Sequence, residues 1–416
     1  MDMKVIVIGA GAAGLYAANL LKAEDIEVTV LEARPEPGGR IQTVYDFADF
    51  PIEKGAAYSH GDNHLFYELA SYREVPIEPS EGKGYYYWKG QLLSRKEARK
   101  IDEVREALGV FEGIYQYKGP DLPLSEVLQE PKPEGPIRPI LDGLAFEYGT
   151  DFGELGAASL AYDERLWPSA GGDFYFPKGL QPVFEEFMAD LGEDLHCSHI
   201  VTQIDYSGKG VKVTCRNGKS FEADRLILTV PLSVLKSRTL QFEPPLPSEK
   251  VDAIEQLGIG AGMKVFLQFN ERFWPEDLQV ICGGMLCPWY ETVPNAPKDA
   301  PVLKAYPMGE YARNLSARGS QAAGLLVEEL NGIFGDAKPA SAFVKSYTAD
   351  WAKEPHIWGA YSYAGPHSLG KREQLWKPLD GKLFFAGEAS HFKGCPATVQ
   401  GAMETGEWAV EKILSY

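Results

Sequence analysis

The first 32 residues constrain the fold more strongly than any other part of this chain, because they join a buried-type strand to a glycine-rich turn. In chain order they contain an apolar strand (residues 5–8), three glycines (Gly9, Gly11 and Gly14) and a helix-like stretch (residues 15–21). A second strand (residues 27–31) and the acidic residue Glu32 follow. The glycines have the spacing Gly-x-Gly-x-x-Gly. This order of elements is typical of a βαβ unit that binds the pyrophosphate of a dinucleotide.

Each residue of this motif has its own physical task. Gly9 permits the tight turn after the strand, Gly11 lets the backbone approach a pyrophosphate, and Gly14 lets the helix pack closely on the strand. Ala13 lies in the first turn of that helix, whose positive dipole end points at the phosphates. Glu32 follows 32 − 14 = 18 residues after the last glycine, where its carboxylate can accept both ribose hydroxyls and repel a 2′-phosphate. The motif therefore predicts a dinucleotide and disfavours NADP.

The residues after Glu32 indicate which dinucleotide is bound. Ala33 and Arg34 follow directly, and a second glycine pair, ending at Gly39, then precedes Arg40. This pair brings more backbone and a guanidinium beside the same phosphates. The arrangement resembles that of the FAD-binding, glutathione-reductase-like families and not that of the nicotinamide dehydrogenases. FAD is therefore the predicted cofactor.

Composition and charge exclude several classes of protein. The chain has 416 residues, 44% of them hydrophobic, which is enough for two domains with packed cores. Its net charge of −18 argues against nucleic acid or an anionic membrane as a partner. Beyond the N-terminal strand and helix, no run approaches the roughly 18 apolar residues of a membrane span. The five cysteines are scattered and odd in number. We expect a cytoplasmic protein without a disulfide framework.

The strand pattern predicts an α/β protein, with a Rossmann-like FAD-binding domain of the glutathione-reductase type and an inserted α+β substrate domain. Strand periodicity returns at residues 200–205, 211–216 and 225–231, after a central block rich in Pro, Gly and aromatic residues. The predicted FAD-binding domain comprises residues 1–76, 172–250 and 356–416. The predicted substrate domain comprises residues 77–171 and 251–355.

Four further motifs lie along the rest of the chain. They are residues 52–61 (Ile-Glu-Lys-Gly-Ala-Ala-Tyr-Ser-His-Gly), residues 228–232 with 242–247 and 264–274, residues 351–363 (Trp-x-x-Glu-Pro-x-x-x-Gly-Ala-Tyr-Ser-Tyr), and residues 383–388 with 396–406. Taken in this order, they resemble the motifs of the flavin-containing amine oxidases, the family of monoamine oxidases, polyamine oxidases and the histone lysine demethylase. The resemblance covers nearly the whole chain and is closest in motif to the polyamine oxidases.

The resemblance implies roles for side chains near the reacting groups. Lys264 would hold a water molecule against the flavin N5, and Trp351 and Tyr361 would flank the flavin. Tyr361 would also form one wall of the cage that aligns the amine. The second wall is aromatic in monoamine oxidases but is Thr398 here, as in polyamine oxidases. His60 matches a histidine that polyamine oxidases place near the substrate amine. The alternatives are a snorkelling lysine, core aromatics and a solvated histidine.

The resemblance also implies which residues contact the cofactor. Glu388 would bind the ribityl and phosphate region, and it could also cap the last helix, since both roles can hold together. Thr398 and Val399 would open that helix, residues 401–414, whose N-terminus would stabilise the reduced flavin. The complete predicted set is Gly9, Gly11, Ala13, Gly14, Glu32, Ala33, Arg34, Gly39, Arg40, Gly55, Ala56, Val201, Trp351, Gly387, Glu388, Thr398 and Val399.

Three differences from members of the family narrow the prediction. Monoamine oxidases attach flavin through a cysteine where this chain has Ala360, so we expect non-covalent FAD, although Cys395 is near in sequence. L-amino-acid oxidases carry an arginine after Gly-Ala, where this chain has Ala57, and an amino-acid substrate is therefore disfavoured. The chromatin-binding and tower insertions of the histone demethylase have no room in a chain of this length.

Two pairs of potential metal ligands occur, His196 with His199 and Cys282 with Cys287. Each pair lacks further ligands at the spacing of a metal site, so we predict that both are structural.

The predicted reaction is hydride transfer from the α-carbon of an amine to the flavin N5, followed by hydrolysis of the imine to an aldehyde. Molecular oxygen would reoxidise the flavin and yield hydrogen peroxide. The expected substrate is a diamine or polyamine, whose second ammonium needs a carboxylate such as Glu147, Asp151 or Glu154. The alternatives are a monoamine oxidase, a flavin desaturase or protoporphyrinogen-oxidase-like enzyme, and a catalytically silent FAD-bound interaction protein.

Overall fold

The N-terminal strand lies at the centre of a five-stranded parallel sheet. The computed structural model of the protein describes residues 3–62, 64–128, 138–168, 171–282, 289–335 and 338–416, and Cys287 lies outside the described residues. Across this first sheet the strands are Leu195–His196, Glu27–Leu31, Lys4–Ile8, Arg225–Leu228 and Leu383–Phe385. Each neighbouring pair is parallel. The sheet is therefore assembled from segments that are far apart in the sequence.

Both faces of the first sheet are covered, which explains why its central strand is apolar throughout. Val5 and Val7 pack towards the helices Ala12–Ala23 and Val399–Leu414, in one buried cluster. Ile6 and Ile8 point to the opposite face and pack against a second sheet. Successive side chains of a strand point to opposite faces, so an alternating polar residue here would be buried without a partner.

The second sheet has four strands and covers the rear of the first. Across this sheet the strands are Ser220–Ala223, Val211–Cys215, Val201–Asp205 and Gln241–Glu243. The first three are antiparallel to one another, and the last pair is parallel.

A third sheet has seven strands and builds the other half of the molecule. Across this sheet the strands are Phe343–Asp350, Met263–Phe269, Val302–Tyr306, Trp289–Thr292, Leu278–Cys282, Lys83–Trp88 and Gln91–Ser94. One face packs on the helices Gly309–Ala317 and Ala322–Phe334 through a large apolar cluster. The other face carries polar side chains and faces the first sheet across a cavity. The exact limits of the two predicted domains stay a prediction.

Short strands and helices connect these sheets. The remaining strands are Thr43–Val44 with Ile52–Glu53, Tyr58–His60 with Asp173–Tyr175 and Glu78–Pro79, and Gly258–Ile259 with Ser362–Tyr363. The α-helices are Ala12–Ala23, Leu65–Tyr72, Arg95–Ala98, Asp102–Ile114, Leu124–Val127, Arg138–Ala145, Ala157–Leu166, Pro182–Leu191, Leu232–Lys236, Ser248–Gln256, Gly309–Ala317, Ala322–Phe334, Lys338–Ala342, Lys371–Trp376 and Val399–Leu414. Within these ranges, no helix combines the length and apolar character that crossing a membrane requires.

The last helix corrects one expectation from the sequence. It begins at Val399, two residues before the predicted start, because the hydroxyl of Thr398 accepts a hydrogen bond from the Gly401 amide at 2.9 Å. Thr398 is thus the N-cap, and the expectation that Glu388 could also cap this helix is wrong. Glu388 instead begins the separate short turn Glu388–Ser390.

Candidate active site

A cavity of about 860 Å³ runs from the glycine-rich turn to the polar face of the seven-stranded sheet. This volume lies within the usual range for small-molecule sites. The cavity brings together the loop after strand Lys4–Ile8, the loop after Leu383–Phe385 and strands from the third sheet. In an open parallel sheet, ligands bind at the carboxyl ends of the strands, where these loops lie.

The turn after the first strand forms a cradle that is made almost entirely of backbone. Gly9 has a φ of +102°, a conformation that side chains disfavour. A β-carbon added to Gly11 would meet no protein atom within 4 Å, so this residue leaves open space at the cavity wall. A β-carbon on Gly14 would lie 1.9 Å from the Gly9 carbonyl oxygen. Gly14 does not line the cavity, and its role is the close contact between helix and strand. Gly39 has a φ of +59° and packs against Gly11.

The carboxylate of Glu32 is buried beside this cradle and is held by backbone amides. Its oxygens accept hydrogen bonds from the Ala10 amide at 2.7 Å and the Arg34 amide at 2.9 Å. A carboxylate has about four acceptor positions, so two stay available for hydroxyl groups. Arg34 donates to the Gly39 carbonyl at 3.1 Å and pairs with Glu354 at 2.8 Å. Arg34 therefore fixes the second glycine turn.

A buried ionic network joins Arg40 to the last part of the chain. Arg40 pairs with Glu388 at 2.9 Å, and the other oxygen of Glu388 accepts from the Ser362 hydroxyl at 2.6 Å. Arg372 donates to the same hydroxyl at 2.8 Å and pairs with Asp163 at 3.2 Å. Burial alone would raise the pKa of Glu388, but Arg40, Ser362 and Arg372 outweigh burial and lower it. The network therefore presents a fixed charge pattern to the cavity.

Sequence reasoning missed Ser362, Arg372 and Asp163 as parts of this network. Arg372 lies in the charged helix Lys371–Trp376, and its sequence neighbours Lys371 and Glu373 suggest an exposed helix. The arginine is nevertheless only 5% exposed. No local pattern signals this burial, because the charged partner of Arg372, Asp163, is 209 residues away in the sequence.

Gly55 and Trp351 meet at the wall between the sheets. A β-carbon on Gly55 would lie 1.9 Å from the Arg40 carbonyl oxygen and 2.9 Å from the Trp351 ring. The indole nitrogen of Trp351 donates to the Lys54 carbonyl at 2.8 Å. Only glycine permits this approach. Ala56 and Val201 also line the cavity near the cradle.

These features fit the FAD that the sequence predicts. The open space at Gly11, the buried Glu32 carboxylate and the helix N-terminus at Thr398 suit a diphosphate, a ribose and an electron-rich ring system. Gly9, Ala13, Ala33, Gly387 and Val399 complete the lining of this half of the cavity.

The polar face of the seven-stranded sheet forms the floor of the second half of the cavity. Lys304 lies directly across from Phe266 on one side and from Glu291 on the other. Lys264 shares this face because it lies two residues from Phe266 on the same strand. Tyr306 shares it for the same reason on the strand of Lys304. The sheet thus places two lysines, a carboxylate and a phenol beside one another.

Lys264 is 5% exposed and lines the cavity. Its amino nitrogen donates to the carbonyl oxygens of Gly55 and, at 3.2 Å, Glu53. Burial lowers the pKa of Lys264, the charge of Lys304 lowers it further, and Glu291 and Glu53 oppose this. A neutral amine has two N–H bonds and one lone pair. When both N–H bonds point to carbonyl oxygens, the lone pair stays available to accept a proton.

Aromatic rings form the side walls of this chamber. The hydroxyl of Tyr361 donates to the carbonyl oxygens of Glu147 at 3.1 Å and Phe146 at 3.3 Å. Trp289 is anchored by its indole nitrogen, which donates to the Gly143 carbonyl at 2.8 Å. Tyr361 and Thr398 both line the cavity.

His60 lies at the partly exposed mouth of the cavity. It pairs with Asp173 at 2.8 Å, and its ring meets the edge of Trp167 with centroids 5.8 Å apart. The structure therefore brings His60 to the cavity but places its ring against the Asp173 carboxylate at the surface. Neither Asp173 nor Trp167 was singled out from the sequence.

Several carboxylates line the cavity, and one of the three proposed from the sequence is among them. Glu147 lines it, and burial raises its pKa. Glu164, which sequence reasoning missed, also lines it, and burial raises its pKa to about 7. Asp151 and Glu154 are absent from the lining, and Asp151 instead accepts the Glu310 amide at 2.8 Å. Asp151 and Glu154 are therefore poor candidates.

Three of the four residues in the predicted structural pairs lie within the described residues: His196, His199 and Cys282. Across the described ranges, no group of three His, Cys, Asp or Glu side chains is arranged to hold a metal ion. His196 and His199 pack ring to ring, with centroids 5.5 Å apart. Cys395 is buried, donates its amide to His391 and does not line the cavity, whereas Ala360 does.

A dinucleotide cradle that opens into a chamber with a buried lysine and aromatic walls defines a dinucleotide-dependent oxidoreductase. Comparisons with known proteins specify the family. Residues 12–414 match the family model described as flavin containing amine oxidoreductase. The chain is 32% identical over 451 residues to Polyamine oxidase 2 of Arabidopsis thaliana, which covers 98% of this chain and 87% of that protein. It is 31% identical over 438 residues to Polyamine oxidase 3 of Oryza sativa subsp. japonica, covering 98% and 88% respectively.

Solved structures agree on the fold. Cyclohexylamine oxidase from Brevibacterium oxydans IH-35A has a TM-score of 0.84 and 20% identity over 100% of both chains. This chain belongs to the flavin-containing amine oxidoreductase family. The predicted family, the predicted fold class and the prediction of an amine oxidase enzyme are confirmed.

Proposed function

We propose that this enzyme oxidises diamines or polyamines with non-covalently bound FAD and molecular oxygen. The observation that carries the proposal is one cavity that joins the cradle at Gly11, the chamber at Lys264 and the carboxylates of Glu147 and Glu164 in its lining. The relatives named polyamine oxidases, at 31–32% identity over nearly the whole chain, support the same substrate class.

Gly11, Glu32, Arg40 and Glu388 hold the cofactor in this proposal, and Ala360 at the cavity wall supports a non-covalent mode. When bound, FAD would supply the acceptor for the hydride from the amine α-carbon, and oxygen would be the final electron acceptor, giving hydrogen peroxide. The remaining chemistry belongs to the chain, which must bind, orient and deprotonate the amine.

Lys264 manages protons at the reacting end of the substrate. An alkylammonium must lose a proton before its nitrogen lone pair can assist the departure of a hydride from carbon. The lone pair of a neutral Lys264, oriented by the carbonyls of Glu53 and Gly55, accepts that proton directly or through one water molecule. Burial, which lowers the pKa of Lys264, makes this neutral form available near neutral pH.

Tyr361, Trp351 and Thr398 align the amine. The two aromatic side chains are held by hydrogen bonds to backbone carbonyls, so they lose little rotational freedom when a substrate binds. Thr398 leaves more room than an aromatic residue would. A long, flexible amine fits this space better than a planar aromatic amine.

Glu147 and Glu164 bind the second ammonium. Desolvation raises the pKa of both carboxylates, so an incoming cation restores the stability of their charged forms. His60 and Asp173 at the mouth add a polar rim that a cation passes. The substrate is thereby oriented with its neutral end at Lys264 and its charged end at the carboxylates.

The test is an anaerobic panel of amines mixed with the FAD-loaded enzyme, followed by the flavin absorbance. Putrescine and spermidine should bleach the flavin more efficiently than butylamine, and the preference should fall with added salt. Glu147→Gln and Glu164→Gln should reduce kcat/KM for putrescine by about tenfold to a hundredfold, about 1.4–2.7 kcal/mol, and leave that for butylamine nearly unchanged. Glu154→Gln, on an exposed residue outside the cavity, is the matched control.

Other outcomes would assign the enzyme differently. Equal or faster reduction by benzylamine or phenylethylamine, without salt dependence, would indicate a monoamine oxidase. Bound flavin that no amine bleaches would indicate a desaturase-like enzyme or a silent interaction protein.

A further inference from the structure

A second buried lysine, Lys304, lies next to Lys264 on the cavity floor and has no place in the proposed chemistry so far. It is 3% exposed and forms an ion pair with Glu291, whose side chain is 13% exposed. The pairing is set by the sheet, because the two residues are directly opposite each other on neighbouring antiparallel strands. Both residues line the cavity.

Stability alone does not explain this pair. Removing two charges from water costs several kcal/mol per ion, and replacing a buried ion pair by apolar residues is often neutral or stabilising. The opposite face of the same strands shows the apolar solution, with Leu303, Ala305 and Tyr290 packed in one cluster. We therefore expect the buried ion pair on the cavity side to have a function in the cavity.

The groups that face Lys264 come from each element around it. Lys304 and Tyr306 lie on the neighbouring strand, and the Tyr306 ring centroid is 5.7 Å from the Lys264 nitrogen. Glu291 lies one strand further away, and Tyr58 donates to its carboxylate at 3.4 Å. Glu53 approaches from the segment Ile52–Glu53, where its carbonyl accepts from Lys264 and the charge of its buried carboxylate raises the pKa of Lys264. Lys304 is the cation in this set.

We propose that Lys304 and Glu291 act as a positioning pair that sets the protonation state of Lys264. The positive charge of Lys304 disfavours an ammonium at Lys264, and Glu291 both holds Lys304 in place and limits its effect. The inference rests on the proposed function, in which Lys264 must be neutral to accept a proton. It adds that two further residues of the cavity floor determine the pH at which Lys264 becomes neutral.

Because Lys304 and Glu291 carry opposite charges, removing one or the other should shift the basicity of Lys264 in opposite directions. Removing Lys304 eliminates a like charge and leaves Glu291 free to attract a proton to Lys264, so Lys264 becomes more basic. Removing the charge of Glu291 leaves Lys304 uncompensated, so Lys264 becomes less basic. A purely structural pair would not produce shifts of opposite sign.

The test measures Lys264 directly, by NMR titration of the FAD-loaded enzyme with ¹³C-labelled lysine side chains. The Lys264 signal is assigned by its absence from Lys264→Met. Lys304→Met should raise the midpoint of the Lys264 titration by about one unit or more, and Glu291→Gln should lower it by a similar amount. The acidic limb of the pH profile of kcat/KM should move in the same directions.

Three control variants test whether a shift in the Lys264 midpoint arises from the charges of Lys304 and Glu291. Lys304→Arg retains the charge and should keep the original midpoint, whereas the double variant Lys304→Met/Glu291→Gln should lie between the single variants. Lys212→Met, on an exposed lysine of the second sheet, should change nothing. The double variant also avoids an unpaired buried carboxylate, so it keeps the test open if Lys304→Met folds poorly.

The outcome separates this inference from the proposed function. Midpoints that do not move, or that move in the same direction in both single variants, would overturn the role of the pair even in an enzyme that oxidises putrescine. Shifts of opposite sign in an enzyme that oxidises no diamine would support the pair and refute the proposed substrate.

Discussion

Two glycine-to-alanine substitutions three residues apart should have opposite consequences, although both add one methyl group. A methyl on Gly14 would lie 1.9 Å from the Gly9 carbonyl oxygen, at least 1 Å closer than any relaxed contact. The helix and the strand must separate to relieve this steric clash. The separation should destabilise the protein by about 3 kcal/mol with or without cofactor. A methyl on Gly11 meets no protein atom within 4 Å, and its φ of −86° suits alanine. Gly11→Ala should cost under about 1 kcal/mol, the loss of a favourable N-cap.

The methyl of Gly11→Ala instead occupies the space proposed for the pyrophosphate. FAD affinity should therefore fall at least about 100-fold, about 2.7 kcal/mol. Thermal unfolding of the FAD-free protein and fluorescence titration with FAD measure the two effects separately. The reasoning is refuted if Gly11→Ala binds FAD like the unmodified protein, or if Gly14→Ala unfolds at an unchanged temperature.

Three further predictions concern the cofactor, the lysine and the pH dependence. Acid precipitation should release all the FAD, because Ala360 offers no attachment point; flavin that stays on the denatured peptide would contradict this. Lys264→Met should retain FAD but slow reduction or reoxidation at least about tenfold, about 1.4 kcal/mol, in rapid-mixing experiments. If FAD is lost instead, the lysine is structural. Burial raises the pKa of Glu164 to about 7, and the ionised form binds the second ammonium. The ratio of kcat/KM for putrescine to that for butylamine should therefore fall about tenfold from pH 8 to pH 6. A ratio that is constant with pH would exclude Glu164, since effects on Lys264 and on the reacting amine cancel in it.

The sequence could predict that Gly9, Gly11 and Glu32 lie together at the wall of one cavity. Gly9, Gly11 and Glu32 lie within one continuous stretch, and the chemistry of a strand, a tight turn and a helix N-terminus is local. Arg40 and Glu388 could be identified only through resemblance to a family, since 348 residues separate the two partners of their ion pair. Local spacing cannot express such a pairing.

The substrate half was predicted less completely. Lys264 was identified through its family motif, and the structure adds that both of its hydrogen bonds go to backbone carbonyls. Of the three proposed carboxylates, Glu147 lines the cavity, whereas Asp151 turns to a helix N-terminus. The three are close in sequence, and only the packing of the short turns between them determines which one faces inward.

The sequence by itself determined the βαβ unit and the family, and it predicted the dinucleotide, because these depend on residue types at short, fixed spacing. Tertiary structure alone decided which charges are buried. Lys304 and Glu291 look like ordinary polar residues of two strands, and their burial follows from the face of the sheet that meets the cavity. Arg372 and Asp163 are equally inconspicuous in their helices. The free energy of a charge depends on what surrounds it in space, and those surroundings come from segments brought together only by folding.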